Sequence, residues 1–537
     1  RDTVDDLGSG LCRLRRLVRR IADTPVQVQL VTTLRDCFVR SHFVIPCVNY
    51  NGNPGGGNYP HGFAKDGKPW IFAYDRTGIP SCSLTEDASR VVALFAADTD
   101  ETSLVSSVSL TENADGSLDH HLYYPYIESP YSYTNTDTLT APLDTYLEFA
   151  PGEEKIFTFY IFVGAPKWKN FGMASLIDRL DALQNPDMPP VADARTLWDV
   201  GIDYIGSLYR EYRGHHLFSV ARRADFGAPA FNPAPASFEI GWAGQGALNS
   251  QLYICEYLRT GERRFLDAAL ENLDAWAEKQ QENGLLYSQF QQYYVKETYD
   301  FATPDVCNFG WGAAEMARMY AFLAAQGIDK PAYKRFAVRL CDFFVEHFSE
   351  TYGFGKSWTL DGACVMENGS IGGFMLTGLM ETYRITGDRR YLDTAARASD
   401  FYFARDLDNF VCAAGALDCQ SIDKETVYPF ITSSLMLYEE TKDAKYLDRA
   451  KKAAYYFFSW AFHFDVLYGA DSEFTKYGYH TKGGTAISTE HHAIDAWGAA
   501  AVSDFLLLAR YTGDNRWAKR AHAMWANAVQ GITASAD

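Results

Sequence analysis

The chain has 537 residues, of which 47% are hydrophobic and 22% charged, which is typical of a globular protein with two or more domains. Its formal net charge of −19 argues against a nucleic-acid partner, because contacts to phosphates need clustered Lys and Arg. The sequence has no long uncharged apolar run, so no membrane partner is expected. An aromatic share of 15% suits core packing and also stacking on sugar rings.

Residues 26–162 form short runs in which apolar and polar side chains alternate, separated by turn clusters such as residues 75–78 and 113–116. Many short strands without intervening helices predict an antiparallel β-sandwich, placed at residues 1–166. The Arg-rich residues 11–21 fit a strand or a helix. The glycine-rich residues 52–57 lack the Lys-Ser/Thr ending of a phosphate loop and predict a long sandwich loop that reaches toward the second domain.

A linker is predicted at residues 167–192. Residues 171–183 have the pattern of a short helix, and prolines at 186, 189 and 190 follow it. Because proline ends helices, this cluster marks the change of pattern. Helical periodicity then continues through residues 193–537, which we assign to one domain.

An internal repeat organises this helical part. Residues 259–267 (RTGERRFLD) match residues 385–393 (ITGDRRYLD), and 440–448 and 511–517 match both; residues 327–333 are a looser copy. Each unit has an apolar helix, a turn and an amphipathic helix. A helix that is apolar all round must be buried on all sides, whereas the second helix exposes one face. The pattern predicts an inner ring of helices inside an outer ring, or else an open solenoid.

Five such units plus residues 193–212 resemble the (α/α)6 toroid of many glycoside hydrolases and some polysaccharide lyases. A β-sandwich followed by this toroid looks like the order in several glycosidase and phosphorylase families, which include exo-acting β-glucuronidases. The resemblance covers most of the chain, although no family's catalytic motif is matched residue by residue. It implies a glycoside hydrolase with its active site at the mouth of the toroid.

Carboxylates precede each predicted inner helix in nearly the same register, and a closed ring would gather them at one mouth. They are Glu239, Asp305, Glu367, Glu425 and Glu490. Helix capping and dipole interactions are the competing explanation for about half of them. Glycosidic cleavage needs a carboxylic acid and a second carboxylate. We predict Glu490 and Glu367 as this catalytic pair, with Asp305, Glu239 and Glu425 in reserve.

Residues 489–497 (TEHHAIDAW) concentrate polar groups just before an apolar helical run. Helical spacing would place Glu490, His491 and Asp495 on one or two faces of a single turn. The competing interpretation is an N-cap at Ser488 or Thr489 followed by solvated residues. His491 and the adjacent His492 cannot share a face, so at most one would point into a cavity.

Further side chains near these loops are candidates for substrate binding. The predicted aromatic and polar contacts are Trp242, Trp311, Trp358, Tyr428, Tyr479, His480, His491, His492 and Asp495, with Tyr293, Tyr294 and Tyr477 nearby. Arg223, Lys482, His480 and His491 would bind a substrate carboxylate, as in a uronic acid. The sequon at Asn368 begins an inner helix, where glycosylation is not expected.

Three function classes stay open at this point. A glycoside hydrolase that acts on an oligo- or polysaccharide is favoured. One form of this hypothesis takes a substrate that contains uronic acids. A polysaccharide lyase would use Tyr428, Tyr479, His480 or His491 as the base. A carbohydrate-binding protein without catalysis would lack paired carboxylates. A phosphorylase is less favoured, because the acidic balance offers no anion site.

The cysteines bear on the cellular compartment and on a possible zinc site. Ten cysteines without a CxxC pair fit a reducing compartment, so a cytoplasmic location is expected. A periplasmic or secreted protein is the alternative if a signal peptide precedes Arg1. A zinc site at Cys412, Cys419 and a histidine has the wrong spacing for a finger. We predict no cofactor and no metal, a carbohydrate partner, and compatibility with a homo-oligomer.

Overall fold

The computed structural model describes most of the chain. The described residues are 1–36, 40, 42–54, 60–97, 105–133, 139–183, 188–212, 214–220, 237–242, 245–291, 304–414, 420–491 and 493–532. Residues 55–59 of the predicted sandwich loop lie outside them. The described chain divides into two compact units. Unit one comprises Arg1–Val191, Asp406–Tyr428 and Lys451–Gln530, and unit two comprises Ala192–Arg405, Pro429–Ala450 and Gly531–Asp537.

The N-terminal part of unit one is built from short strands and one helix. The strands are β1 (Asp2–Asp6), β2 (Leu11–Arg19), β3 (Val26–Val28), β4 (Leu30–Arg35), β5 (His42–Ile45), β6 (Asn49–Tyr50), β7 (Ala64–Lys65), β8 (Lys68–Pro69), β9 (Phe72–Ala73), β10 (Ser83–Glu86), β11 (Val91–Ala96), β12 (Ser107–Glu112), β13 (Leu118–Tyr124), β14 (Ser132–Tyr133), β15 (Leu139–Thr140), β16 (Leu147–Phe149) and β17 (Glu154–Gly164). Helix α1 (Gly172–Leu183) follows at the predicted position.

Two antiparallel sheets carry this region. One has the order β1-β2-β17-β11-β10-β5-β6 and the other β4-β13-β12-β9. Their shared core contains alternate side chains of the two sheets, such as Leu94 and Ala96 of β11, Leu122 and Tyr124 of β13, and Phe157 of β17. Because alternate residues of a strand face one side, the alternating sequence pattern produces this buried face. The predicted antiparallel β region is confirmed.

Strand β2 resolves the ambiguity of residues 11–21. Arg13, Arg15 and Arg19 alternate with Leu14 and Val18, which pack against the core. The guanidinium groups of Arg13 and Arg16 lie 2.8 Å from carboxylate oxygens of Asp5 and Asp2 on β1. Arg13 lies on the face opposite Leu14 and Val18, whereas Arg16 shares their face and donates to the Thr32 hydroxyl of β4 at 2.9 Å.

The rest of the chain is mainly helical, with small β-hairpins between the helices. The helices are α2 (Ala194–Leu208), α3 (Gly246–Thr260), α4 (Arg263–Glu278), α5 (Val306–Ala325), α6 (Pro331–Glu346), α7 (Phe374–Thr386), α8 (Arg389–Arg405), α9 (Tyr428–Thr441), α10 (Ala444–Phe458), α11 (Glu473–Lys476), α12 (Val502–Thr512) and α13 (Arg516–Ala528). The hairpin strands are β18 (Tyr209–Tyr212), β19 (His215–Phe218), β20 (Ser237–Glu239), β21 (Gln289–Gln291), β22 (Ser357–Trp358), β23 (Cys364–Met366), β24 (Thr485–Ala486) and β25 (Ile494–Asp495).

The internal repeat corresponds to a recurring turn between paired helices. Thr260, Thr386, Thr441 and Thr512 each donate a hydroxyl hydrogen bond to the carbonyl four residues earlier. The same hydroxyls accept the backbone N–H two residues later. These bonds satisfy groups left over at the helix ends. The pairs α3–α4, α7–α8, α9–α10 and α12–α13 therefore share one turn geometry.

In unit two the first helices of successive hairpins pack closely. A Cβ atom on Gly310 of α5 would lie 2.3 Å from the backbone of Phe374 of α7. One on Gly378 of α7 would lie 3.0 Å from the carbonyl oxygen of Gly310. Since a side chain at Gly310 would overlap backbone atoms, the glycine permits this close approach.

Ion pairs link the C-terminal halves of α5, α7 and α9 in unit two. Arg318 of α5 donates to Glu315 at 2.5 Å and to Glu381 of α7 at 2.8 Å. Arg384 of α7 donates to Glu439 of α9 at 2.8 Å. The helices are thus held in a fixed lateral order at their C-terminal ends. Closure of the helices into a ring and the predicted boundaries 1–166, 167–192 and 193–537 stay predictions.

Candidate active site

Two segments of unit one lie side by side and carry five charged residues, Asp423, Lys424, Glu425, Glu490 and Asp495, which we call the Lys424 cluster. The backbone N–H of Lys424 donates to the Ile487 carbonyl at 3.2 Å, and that of Thr489 donates to the Ile422 carbonyl at 2.9 Å. An isolated antiparallel bridge joins Asp423 and Ser488. These contacts bring the turn before α9 against the loop that contains Glu490.

A buried ion pair joins the two segments of the Lys424 cluster. The Lys424 ammonium is fully buried and lies 2.6 and 2.5 Å from the two carboxylate oxygens of Asp495. The Thr485 hydroxyl accepts from Lys424 at 3.1 Å and donates to Asp495 at 2.7 Å. Because buried charges need partners and hydrogen bonds, this arrangement makes burial of the lysine tolerable.

Glu425 and Glu490 are both withdrawn from solvent, with 6% and 3% of their surface exposed. Glu425 begins the 3-10 turn that leads into α9. Asp423, which is fully buried, accepts hydrogen bonds from the backbone N–H and the hydroxyl of Thr426 and so closes that turn. With four carboxylates and one lysine, the Lys424 cluster is acidic. Such a site disfavours an anionic ligand.

The predicted helical turn at residues 489–497 is wrong. Antiparallel β24 and β25 flank a hairpin loop that holds Glu490 and His491. The Ser488 hydroxyl accepts the backbone N–H groups of Glu490 at 3.3 Å and His491 at 2.9 Å, so Ser488 caps a tight turn rather than a helix. Asp495 lies in β25 and is held by Lys424. His492 lies outside the described residues.

In unit two, Asp305 is the N-cap of α5. Its carboxylate accepts the backbone N–H of Asn308 at 2.8 Å, the Asn308 side-chain amide at 3.0 Å and the Ser288 hydroxyl at 3.2 Å. The Asn308 side-chain oxygen accepts the Gly241 N–H at 2.9 Å. Asp305 therefore acts as a helix cap, which was the competing explanation for these carboxylates. It positions α5 and, through Asn308, the residues that follow β20.

Glu239 and an aromatic cluster lie near this cap. Glu239 is buried at the end of β20. Trp242, Trp311 and Phe374 form mutual ring contacts, with the Trp311–Phe374 centroids 5.8 Å apart and nearly parallel. Both tryptophans are 8% exposed. This cluster has the composition of a sugar-binding wall, and its role stays a prediction.

Glu367 and Trp358 have surroundings that weaken their predicted roles. Glu367 is solvent-exposed directly after β23. Trp358 is 2% exposed, donates its indole N–H to the Phe354 carbonyl at 2.9 Å and packs edge-on against Phe343 and Phe344. A tryptophan with its polar atom and its ring committed inside the protein is a core residue.

The remaining predicted contacts lie in unit one. Tyr428 begins α9 and is half-buried, as is His491. The Tyr479 hydroxyl donates to Asn527 at 3.2 Å, and burial raises its pKa. His480 is exposed, with Nδ1 2.9 Å from Asp465, and Tyr477 is 74% exposed. Arg223, Tyr293, Tyr294 and Cys419 lie outside the described residues.

Sequence reasoning missed Asp423, Lys424 and Lys356, which are buried charged residues next to the predicted site positions. Lys356 is adjacent to the cap of α5, since its carbonyl accepts the Val306 N–H at 2.9 Å. A signal was available, because Asp423, Lys424 and Glu425 stand consecutively just before an apolar helix.

Within the described ranges, no helix has the length and apolar character needed to cross a bilayer. The same part of the chain contains no group of three or more His, Cys, Asp or Glu side chains arranged to hold a metal ion.

Comparison with known proteins gives structural neighbours only. No model of a protein family matches the chain, and no curated protein is similar to it in sequence. A polysaccharide lyase aligns with a TM-score of 0.44 and 12% identity, over 99% of this chain and 80% of its own. A D-mannose isomerase aligns with a TM-score of 0.42 and 15% identity, over 63% of this chain and 86% of its own.

A GH76 α-mannanase from Bacteroides thetaiotaomicron aligns with a TM-score of 0.38 and 13% identity, over 67% of this chain and 95% of its own. All three neighbours are named as enzymes acting on carbohydrates. TM-scores below 0.5 do not establish a shared fold or activity.

Proposed function

We propose that this protein is a glycoside hydrolase whose catalytic carboxyl groups are Glu425 and Glu490. The observation that carries this proposal is their burial on two segments that backbone hydrogen bonds and the Lys424–Asp495 ion pair join. Hydrolysis of a glycosidic bond needs one carboxylic acid that protonates the leaving oxygen and one carboxylate that activates water or attacks the anomeric carbon. Glu425 replaces Glu367 in the predicted pair, because Glu367 is exposed.

The substrate class follows from the charge of the Lys424 cluster. Its single lysine is already paired with Asp495, which leaves an excess of carboxylates near Glu425 and Glu490. A uronate in this position would meet like charges, whereas a neutral sugar would meet hydrogen-bond acceptors. We therefore propose a neutral oligo- or polysaccharide, and not the uronic acid of the earlier expectation, as the substrate.

The proposed architecture remains an (α/α)6 toroid following a β-sandwich. Support comes from the repeated threonine turn and from the close packing of α5 and α7. Glu239, Trp242 and Trp311 of unit two stay predicted substrate contacts.

The test compares three glutamine variants. Glu490→Gln and Glu425→Gln should each reduce turnover of aryl glycosides and neutral polysaccharides by about a thousandfold, since each removes an acid or base function. Glu367→Gln is the matched control and should retain activity close to that of the unchanged protein. Reducing-sugar release measures all three. Full activity of Glu490→Gln, or loss of activity only in Glu367→Gln, would refute the proposed pair.

A polysaccharide lyase is the second candidate. Tyr428 and His491 are half-buried and stand directly on the two paired segments, where either could abstract a proton next to a substrate carboxylate. Elimination creates a C=C bond conjugated to that carboxylate, so a lyase product absorbs ultraviolet light and a hydrolase product does not. Such absorbance during cleavage of a polyuronate would select the lyase. Binding without turnover of any substrate would select a non-catalytic carbohydrate-binding protein.

A further inference from the structure

A cavity lies in unit two, and none of the residues that line it belongs to the Lys424 cluster. It has a volume of about 410 Å³ and lies between the C-terminal half of α6, the turn after α4 and the turn that joins β22 to β23. We call it the α6 pocket. Its volume lies within the range of small-molecule sites in proteins, about 300–1,000 Å³.

The walls of the α6 pocket are held in place by hydrogen bonds. The Asn283 side-chain amide donates to the Leu360 carbonyl at 2.7 Å, and its oxygen accepts the Leu285 N–H at 3.1 Å. Asp361 accepts a hydrogen bond from Thr359 within the opposite turn. Since the Asn283–Leu360 bond links the two turns and the other two bonds hold each turn internally, a ligand would not have to order them. A preformed site loses less entropy on binding.

The imidazole ring of His347 lines this pocket. Its imidazole stacks on Phe343 with centroids 4.0 Å apart and planes 15° apart. The Nδ1 atom lies 2.7 Å from the Phe343 carbonyl oxygen. Because a carbonyl can only accept, Nδ1 carries the proton, and in the neutral ring Nε2 is then an acceptor. The ring thus combines an apolar face with a hydrogen-bonding edge.

The other lining side chains suit the recognition of hydroxyl groups. Arg339 offers a planar set of donors, and Glu346 and Asp361 offer carboxylate acceptors, whereas one oxygen of Asp342 already accepts from Tyr391 at 2.8 Å and from Arg390 at 3.2 Å. Planar groups of these kinds can bind two neighbouring hydroxyls at once. The acids outnumber the single arginine, so an anionic ligand is disfavoured. Among the described residues these acids form no metal-binding group.

We propose that the α6 pocket is an accessory binding site for a neutral sugar unit of a saccharide chain. This inference rests on the proposed function in that it takes a saccharide as the substrate. It adds that the substrate is a chain long enough to occupy a second site. Binding there would increase affinity for polymers without affecting the chemistry at Glu425 and Glu490.

Two arginines of α6 provide the test. Arg339 lines the pocket, whereas Arg335, one helical turn earlier and also exposed, does not. Retardation in gels that contain neutral glucans, mannans or xylans measures binding by the intact protein. Arg339→Ala should weaken binding of at least one of these polymers about tenfold, equivalent to about 1.4 kcal/mol. Arg335→Ala should leave it unchanged, and His347→Ala is a second pocket variant.

The outcomes separate this proposal from the proposed function. Arg339→Ala should retain turnover of short aryl glycosides, and Glu490→Gln should retain polymer binding. Equal binding by the unchanged protein, Arg339→Ala and His347→Ala would overturn the accessory site, as would a lack of binding to every neutral polymer. Retained turnover in Glu425→Gln and Glu490→Gln would overturn the catalytic pair alone.

Discussion

Lys424 and Asp495 are joined by a buried ion pair although 71 residues separate them in the chain. The pair ties the turn before α9 to strand β25, and the hairpin loop that leads into β25 carries Glu490. The position of one proposed catalytic glutamate relative to the other therefore depends on a contact between two distant parts of the chain.

Replacing Lys424 by Met should destabilise the protein strongly. The change leaves the Asp495 carboxylate, with 12% of its side chain exposed, without its buried partner. Breaking such a pair typically costs about 3–5 kcal/mol. Chemical denaturation should show this loss, and the double variant Lys424→Met/Asp495→Leu should recover part of it. A loss below about 1 kcal/mol would mean that the pair contributes little.

Asp305 should behave as a structural cap. Asp305→Ala removes an acceptor from Asn308 and Ser288, and we expect a loss of about 2 kcal/mol, the upper range for an N-cap. Asp305→Asn keeps an acceptor and should lose much less. Denaturant unfolding and aryl-glycoside turnover should be measured together. An Asn variant that is as stable as the unchanged protein but inactive would assign the carboxylate to catalysis.

Lys442 stands where three equivalent turns have glycine. Its φ is 60°, and the corresponding glycines 261, 387 and 513 have φ values of 76°, 72° and 70°. A non-glycine residue in this left-handed region is strained by about 1 kcal/mol or more. Lys442→Gly should therefore stabilise the protein by roughly 0.5 kcal/mol, since glycine's entropy cost offsets part of the gain.

The reciprocal change gives the control for this comparison. A Cβ at Gly387 would meet no atom within 4 Å, so Gly387→Lys tests strain without a clash. We expect it to lower the unfolding free energy by about 1 kcal/mol. If Lys442→Gly and Gly387→Lys changed the unfolding free energy in the same direction, backbone strain would not be the cause.

His463 should make stability fall in mild acid. Burial, together with the positive charges of Arg520 and Lys482, lowers its pKa to about 3. Below its ordinary pKa of about 6.5 the unfolded chain binds a proton that the folded protein does not. The stabilisation from the neutral form is therefore complete above about pH 6.5 and is lost as pH falls toward 3.

Between pH 7 and pH 5 this loss should amount to about 2 kcal/mol. His463→Gln cannot titrate and should flatten that part of the curve, as measured by denaturant unfolding at several pH values. Equal slopes in His463→Gln and the unchanged protein would contradict a buried neutral imidazole.

The sequence by itself determined the class and order of the secondary structure. Alternation in residues 26–162 predicted antiparallel strands because neighbouring residues of a strand face opposite sides. Recurrence of the Thr-Gly-Asp/Glu turn predicted the helical hairpins because its hydrogen bonds are local. The arginines of β2 could not be assigned, since their partners Asp2 and Asp5 lie on another strand.

The candidate site depended on tertiary structure. Five carboxylates looked equivalent in the sequence, yet Asp305 caps a helix, Glu367 is exposed and Glu425 is buried beside the Glu490 loop. Residues 489–497 were predicted to be helical, and the Lys424–Asp495 pair and the Ser488 turn made them a hairpin instead. Periodicity reports only interactions within a few residues, whereas burial and charge pairing depend on segments that meet after folding.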